Sequence, residues 1–285
     1  MAKVAFNPFS FTVQGRLVSF QRPAVMGILN ITEDSFYDGG RYRQPDAMLQ
    51  HAHELLDEGA DIIDLGASSS RPGAQLLPPE EEASRLKDAI RLIRSELPQA
   101  ILSVDTCYSL PARQAVEAGA DIINDISGGQ FDPAMFQTVA ELQVPYILMH
   151  NRALPDEMQQ HTGYADIIDD LTKYFSQRID TLYRLGIKDL WLDPGFGFAK
   201  SVEENHELLH RLDELTSLFP QPMLAALSRK SMIYKPLGIA PADSLPGTIA
   251  LDTIALLNGA RVLRVHDPKP ALQTIQLLNQ NTLTK

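Results

Sequence analysis

The chain has 285 residues, and its 36 Asp and Glu against 25 Lys and Arg give a formal charge of 25 − 36 = −11 and a pI near 5.1. So acidic a surface disfavours nucleic acid and anionic membranes as partners, while 44% hydrophobic and 21% charged residues exclude a disordered chain. The lone Cys107 excludes an intrachain disulfide framework and a multi-cysteine metal site, and with neither a leader-like nor a membrane-spanning run the protein is expected in the cytoplasm.

In chain order, the first elements are two short alternating runs, 11–13 and 16–20, around Gln14-Gly15. They read as a hairpin with a tight glycine turn, expected to plug the base of whatever follows. Next comes a pattern that repeats. Glu58-Gly59-Ala60-Asp61-Ile62-Ile63-Asp64 returns as Glu117-Ala118-Gly119-Ala120-Asp121-Ile122-Ile123-Asn124-Asp125, with looser copies at 185–190 and 258–263. Each copy reads as a helix end, a glycine stop and a buried strand. Strands are expected at 24–30, 61–66, 101–105, 121–126, 145–150, 190–193, 223–228 and 261–266. Helical periodicity fills the gaps at 47–58, 80–97, 111–118, 134–142, 164–185, 202–218, 248–258 and 270–278, and Ser201 with Glu204 forms a capping-box signature. About eight βα units point to a closed (β/α)₈ TIM barrel over 1–285, with residues 1–22 capping its base; an open doubly wound sheet carries the same local signals.

In either architecture ligands bind beyond the carboxyl ends of the strands. Those ends carry Asn30, Asp64, Asp105, Asn124, Asp125, His150, Asp193, Ser228-Arg229-Lys230, Arg264 and His266. Any one of them could be a cap, but nearly every strand ending this way indicates a polar site at the barrel mouth. The loops 32–43 and 67–79 are rich in Gly, Ser and Pro and are placed to close over it. Arg and Lys at the mouth of an acidic protein suggest a small anion such as phosphate, with ion pairing to Asp193 or Asp267 as the plainer alternative. No nucleophile–base pair and no cage of metal ligands stands out; His51 and His53 fall within a helix as surface residues.

Several blocks then become recognisable together. Gly27-Ile28-Leu29-Asn30-Ile31-Thr32-Glu33-Asp34-Ser35-Phe36-Tyr37-Asp38-Gly39-Gly40 resembles the first signature of the dihydropteroate synthase family. The run 59–66 through Ser70-Arg71-Pro72-Gly73-Ala74 resembles the second. Ser103-Val104-Asp105-Thr106, Ile123-Asn124-Asp125-Ile126, Leu148-Met149-His150, Leu192-Asp193-Pro194-Gly195-Phe196-Gly197-Phe198-Ala199-Lys200, Ser228-Arg229-Lys230-Ser231 and Arg264-Val265-His266-Asp267 follow in the family's order.

That resemblance implies a (β/α)₈ transferase, usually a homodimer. Its members condense 6-hydroxymethyl-7,8-dihydropterin pyrophosphate with 4-aminobenzoate in folate biosynthesis, require Mg²⁺ and are targets of sulfonamides. It implies pterin contacts by Asp105, Asn124, Asp193 and Lys230 between the apolar walls Ile28, Ile126 and Met149. It places pyrophosphate on Asn30, Arg264 and His266, with Mg²⁺ on Asn30, and aminobenzoate against Phe36, Ser70, Arg71, Pro72, Phe198 and Ser228. Asp105, Lys230 and Arg264 are the expected catalytic set. The carboxylate of Asp193 is a natural bidentate acceptor for a pterin's adjacent ring N–H and amino group. An arylamine is neutral at pH 7, so stabilising the charge on both departing pieces outweighs any general base. Departures cluster in the second signature, where Ala67 and Ser68 replace the usual Gly and Glu and Ser70 the usual Thr; Glu33, Asn151 and Ala153 also differ. Altered affinity for aminobenzoate and its sulfonamide mimics is therefore expected. Two alternatives stay open at this point: a pterin-dependent methyltetrahydrofolate:corrinoid methyltransferase on the same barrel, and a non-catalytic pterin-binding paralogue.

Overall fold

The structure, a computed structural model, describes residues 6–31, 44–68 and 73–280. Of the positions singled out above, Glu33, Phe36, Ser70, Arg71 and Pro72, with all of the first loop over 32–43, lie outside the described residues.

The hairpin is β1 (Phe9–Val13) and β2 (Arg16–Phe20), paired antiparallel. Gln14 and Gly15 both sit at positive φ, 49° and 74°, the primed turn whose twist matches the strands it joins. Phe9, Phe11 and Val13 alternate inward and are buried, while Leu17 on the other strand is exposed.

After it come parallel strands β3 (Ala24–Asn30), β4 (Ile62–Gly66), β5 (Ile101–Asp105), β6 (Ile122–Asp125), β7 (Tyr146–Met149), β8 (Leu190–Asp193), β9 (Leu224–Ala225) and β10 (Val262–Val265). Each pairs with its predecessor, β10 returns to β3, and β8 meets β9 through a parallel bridge of Leu192 to Met223 and a 2.9 Å hydrogen bond from the Leu192 amide to the Pro222 carbonyl. The sheet is therefore a closed barrel, and the open alternative falls.

Between strands lie α1 (Gln44–Asp57), α2 (Pro79–Glu96), α3 (Ser109–Ala118), α4 (Met135–Leu142), α5 (Ile167–Arg184), α6 (Val202–His210), α7 (Leu212–Leu218), α8 (Ser231–Leu237), α9 (Leu245–Leu257) and α10 (Pro268–Gln280). Three of these readings need correction. The strand expected over 223–228 is reduced to Leu224–Ala225 with the bridge at Met223, because the chain then turns, with the Lys230 amide donating to the Leu227 carbonyl. Helix α8 lies where no helix is expected from periodicity; it is short, contains Pro236 and ends at Gly238 in the left-handed conformation. The helix expected over 202–218 divides at Arg211, whose guanidinium gathers Asp166, Glu207 and Glu214.

The repeated Asp now has a physical role. Asp61 accepts the Val25 amide at 2.8 Å and pairs with Arg22, Asp121 accepts the Leu102 amide at 2.9 Å and pairs with Arg94, and Asp189 accepts the Thr12 amide at 2.8 Å. Asp61 and Asp121 each stitch the start of their strand to the preceding strand at the barrel base, and Asp189 ties the start of its strand to the hairpin.

Strand side chains alternate between the two surfaces of the barrel wall. Val25, Leu29, Ile63, Leu65, Leu102, Val104, Ile123, Leu148 and Leu263 face outward into the helix layer. Met26, Ile62, Ile122, Ile147, Trp191, Leu224 and Val262 face inward, and the hairpin's Phe9, Phe11 and Val13 pack on them from below. Phe11 meets Trp191 edge-on, with ring centroids 4.8 Å apart. The lower interior is thus a dry apolar plug.

Candidate active site

Two residues further along five of the inward rows the chemistry changes. Ile62 gives way to Asp64, Ser103 to Asp105, Ile122 to Asn124, Trp191 to Asp193 and Val262 to Arg264. Period-2 alternation therefore lays a polar tier directly on the apolar plug. Arg264 holds it together: its Nε donates to Asp64 Oδ2 at 2.6 Å and an Nη to Asp105 Oδ2 at 2.7 Å. Asn124 Nδ2 donates to the same Asp64 oxygen at 3.2 Å. Asp64 Oδ1, Asn124 Oδ1 and Ser103 Oγ are buried with no hydrogen-bond partner among the described residues. Unspent polar capacity of that kind inside a barrel is what a ligand or ordered water satisfies.

The same alternation corrects two expected mouth residues. Asp125 and His150 follow inward residues and so face outward. Asp125 accepts from Tyr146 Oη at 2.6 Å and from the Ser127 and Gly129 amides, both at 2.7 Å. His150 is buried against Tyr174, with ring centroids 4.7 Å apart, and its Nδ1 lies 3.1 Å from Lys200 Nζ. Both tie loops to the helix layer.

The expected rim of cations also divides. Arg229, at φ 58°, turns away and forms a bidentate pair with Asp267, its Nη donating at 2.7 and 3.0 Å, so the plainer alternative holds for it. Lys230 turns inward, donates to the Phe196 carbonyl and stands 4.8 Å from the centre of the Phe198 ring. Ser228 and His266 face each other, Oγ to Nδ1, at 3.0 Å. Asn30 is the exposed last residue of β3. Ile126, Met149 and Phe198 come together in one apolar cluster with Cys107, Met158 and Ala199, and Ile28 is buried on the inward row of β3.

Electrostatics follow from this crowding. Burial pushes the Asp105 carboxyl up, Arg264 pulls it back, and Asp64, Asp125 and Asp193 push it up again. Burial likewise raises Asp193, against Lys230, the Gly195 amide and Arg264. Lys230 is pushed down to about 8 by burial, with Asp193 opposing. Burial works against charge on Arg264, but Asp64 and Asp105 more than offset it, so the guanidinium stays charged.

Sequence reasoning missed two buried groups. Lys200 read as part of a glycine-rich loop, yet it is 2% exposed and bonded to the outward-facing His150 behind that loop. Glu82 sat in an acidic first turn, yet it is buried, hydrogen-bonded to the Thr106 side chain, and pushed up to about 8 by burial. Its signal was helical phase, since 82, 86, 89 and 93 share the buried face of α2. An inward carboxylate, a carboxamide and an ammonium between apolar walls complement a flat heterocycle with donors and acceptors along its edges.

Comparison with known proteins agrees. The family described as pterin binding enzyme matches residues 26–266. The dihydropteroate synthase of Streptococcus pyogenes serotype M3 is 39% identical over 270 residues, covering 93% of this chain and 98% of the relative. That of Escherichia coli K12 is 37% identical over 274 residues, covering 95% and 96%. Among solved structures, a Yersinia pestis dihydropteroate synthase in a sulfonamide drug complex superposes with a TM-score of 0.88 at 36% identity, covering 97% of this chain and all of the other. A Xanthomonas albilineans dihydropteroate synthase in complex with 7,8-dihydropteroate gives 0.84 at 34% identity, with 97% of this chain covered and all of the other.

Proposed function

The chain belongs to the family of pterin binding enzymes and, within it, to the dihydropteroate synthases, and from that premise we infer its reaction and the role of each site residue. It is a transferase that condenses 6-hydroxymethyl-7,8-dihydropterin pyrophosphate with 4-aminobenzoate, releasing 7,8-dihydropteroate and pyrophosphate. The observation that carries the reading is the inward polar tier, with buried acceptors left unspent above an apolar plug.

Asp193 accepts from the pterin's ring N–H and amino group, Asn124 serves the neighbouring edge, and Lys230 donates to the ring carbonyl. Ile28, Ile126 and Met149 wall the slot. Gly195 supports this assignment, because its amide already donates to Asp193 Oδ1 at 2.7 Å and so fixes the carboxylate's orientation. The arylamine nitrogen forms a bond to the pterin methylene as the methylene C–O bond to pyrophosphate breaks; the electron pair leaves with pyrophosphate and the amine's proton passes to solvent. Positive charge that develops on the methylene and ring faces Asp105, and Arg264 keeps that carboxylate in place.

Pyrophosphate lies toward Asn30, Arg264 and His266. No group of three or more His, Cys, Asp or Glu side chains among the described residues could hold a metal. The exposed carboxamide of Asn30 at a strand end nevertheless suits Mg²⁺, which keeps several waters and takes its charged ligands from phosphate. When bound there, Mg²⁺ offsets charge on the departing pyrophosphate. Aminobenzoate packs on Phe198 and Ser228; Phe36, Ser70, Arg71 and Pro72 are the further contacts that the resemblance implies, and sulfonamides compete for that subsite. The exposed Leu218, Leu237, Ile254 and Leu257 on α7, α8 and α9 support a homodimer. No helix among the described residues is long and apolar enough to cross a membrane; the cytoplasm as location, and small molecules rather than nucleic acid or membrane as other partners, are part of the proposal and are supported by the acidic balance of the chain.

The deciding experiment is pyrophosphate release with both substrates, with and without Mg²⁺. Release that requires all three components is expected. Binding of the pterin pyrophosphate without release would instead favour a non-catalytic paralogue, and methyl transfer to a corrinoid would favour the methyltransferase.

A further inference from the structure

The loop from β8 to α6 has an unusual backbone: Gly195, Gly197 and Ala199 all lie at positive φ, 71°, 84° and 48°. This path turns its carbonyls toward one centre, and Lys200 occupies it. The Lys200 ammonium donates to the Gly195 carbonyl at 3.0 Å and the Phe198 carbonyl at 3.1 Å, and stands 3.1 Å from His150 Nδ1. Three partners use all three of its N–H bonds. Tyr164 adds a fourth tie, its hydroxyl donating to the Ala199 carbonyl at 3.1 Å. His150 can accept because burial and the nearby cations hold its imidazole well below its ordinary value, so it is neutral.

Burying an ammonium that has no carboxylate in direct contact is costly, and burial pushes Lys200 down to about 7. An apolar residue would fill the same space at lower cost. What the lysine supplies is order in a loop that faces the site: the Phe196 carbonyl accepts from Lys230, and the Phe198 ring stands beside the same ammonium.

We propose that Lys200 is a positioning residue that clamps the Gly195 and Phe198 carbonyls against His150 and thereby sets the Phe198 ring on the arylamine side of the slot. The identity of the substrates rests on the transferase reading above; the clamp does not. Lys200 acts only through the loop it holds, and misplacing that loop by about 1 Å is enough to cost one to two orders of magnitude in turnover efficiency.

The test uses the full-length protein with Lys200→Met, which keeps length and removes the donors, and Lys200→Arg, which keeps charge and donors. Hydrogen exchange of amides 195–200 is read without substrate, and steady-state kinetics are read with both substrates. Exchange in Lys200→Met is expected to quicken about tenfold, and KM for 4-aminobenzoate to rise about tenfold, or 1.4 kcal/mol. KM for the pterin pyrophosphate should move by less than about threefold, and Lys200→Arg should recover part of both effects. Wild-type exchange and wild-type KM in a folded Lys200→Met protein would overturn the proposal. So would equal losses for both substrates in step with a lowered melting point, or failure of both variants to fold, since Lys200 would then be a folding residue. If the wild type itself released no pyrophosphate, the transferase reading would fail while the exchange arm still decided the clamp.

Discussion

Replacing Arg264 with Ala should damage the fold as well as the chemistry. In sequence Arg264 reads as one of several rim cations, removable at the cost of turnover alone. In the structure its side chain is 16% exposed and is bonded to two carboxylates, Asp64 at 0% and Asp105 at 12%. Removing one partner of such a group leaves charge buried without compensation, which costs about 3–5 kcal/mol. The pH dependence has a definite sign. Without the guanidinium, burial raises the Asp105 carboxyl further above its unfolded value of about 3.9, so across the range above that value the unfolded chain binds fewer protons and stability falls as pH rises. The deficit against wild type should be largest near pH 8 and shrink toward pH 5. Urea unfolding at both pH values checks this, and adding Asp64→Asn should restore part of the stability with none of the pyrophosphate release. A variant as stable as wild type at pH 8, or a deficit that deepens on acidification, would refute the reasoning.

Because Lys230 is pushed down to about 8 and must carry its proton to donate to the pterin carbonyl, kcat/KM for the pterin pyrophosphate should decline above about pH 8. A profile flat to about pH 9.5 would remove Lys230 from that role. Asp252 in α9 is buried, leaves Oδ1 without a partner among the described residues, and is pushed up from 3.8 to about 8 by burial alone. Its unfolded form loses the proton first, so between those values rising pH destabilises the fold, by as much as about 4 kcal/mol at pH 7. Asp252→Asn should accordingly stabilise the protein at pH 7 and do little at pH 4, and urea midpoints that show no pH-dependent gain would contradict the burial cost. Phe11→Ala should open a cavity under Trp191 and cost about 3–5 kcal/mol while leaving KM values close to wild type, whereas a loss below about 1 kcal/mol would show that the hairpin does not seal the barrel.

The barrel was legible because two periodicities agree along the chain. A helix stop followed by a β-branched run marks each strand, and within the run every second residue faces inward, so Asp64, Asn124, Asp193 and Arg264 could be placed at strand ends before any coordinates. Applied strictly, the same period would have turned Asp125 and His150 outward. Partnership was not legible. Arg264 and Asp64 are 200 residues apart and meet only because β10 closes on β3. Lys200 was hidden for a related reason, since a lysine in a glycine-rich loop reads as solvated until the loop's positive-φ path shows its carbonyls converging. Asp252, by contrast, left a trace: a lone charge in the apolar run Ile249-Ala250-Leu251-Asp252-Thr253-Ile254-Ala255 of α9.

The net charge of −11 also takes on a different meaning inside the barrel. The polar tier sets three carboxylates, Asp64, Asp105 and Asp193, against two cations, Arg264 and Lys230, so with every group ionised the floor carries 2 − 3 = −1. A floor of that sign suits a ring that donates hydrogen bonds and gathers positive charge as its methylene bond breaks. That sign alone does not suit a pyrophosphate, so on the proposed reading Arg264 meets the leaving group together with groups nearer the mouth, where Asn30 ends β3 and His266 lies two residues beyond Arg264.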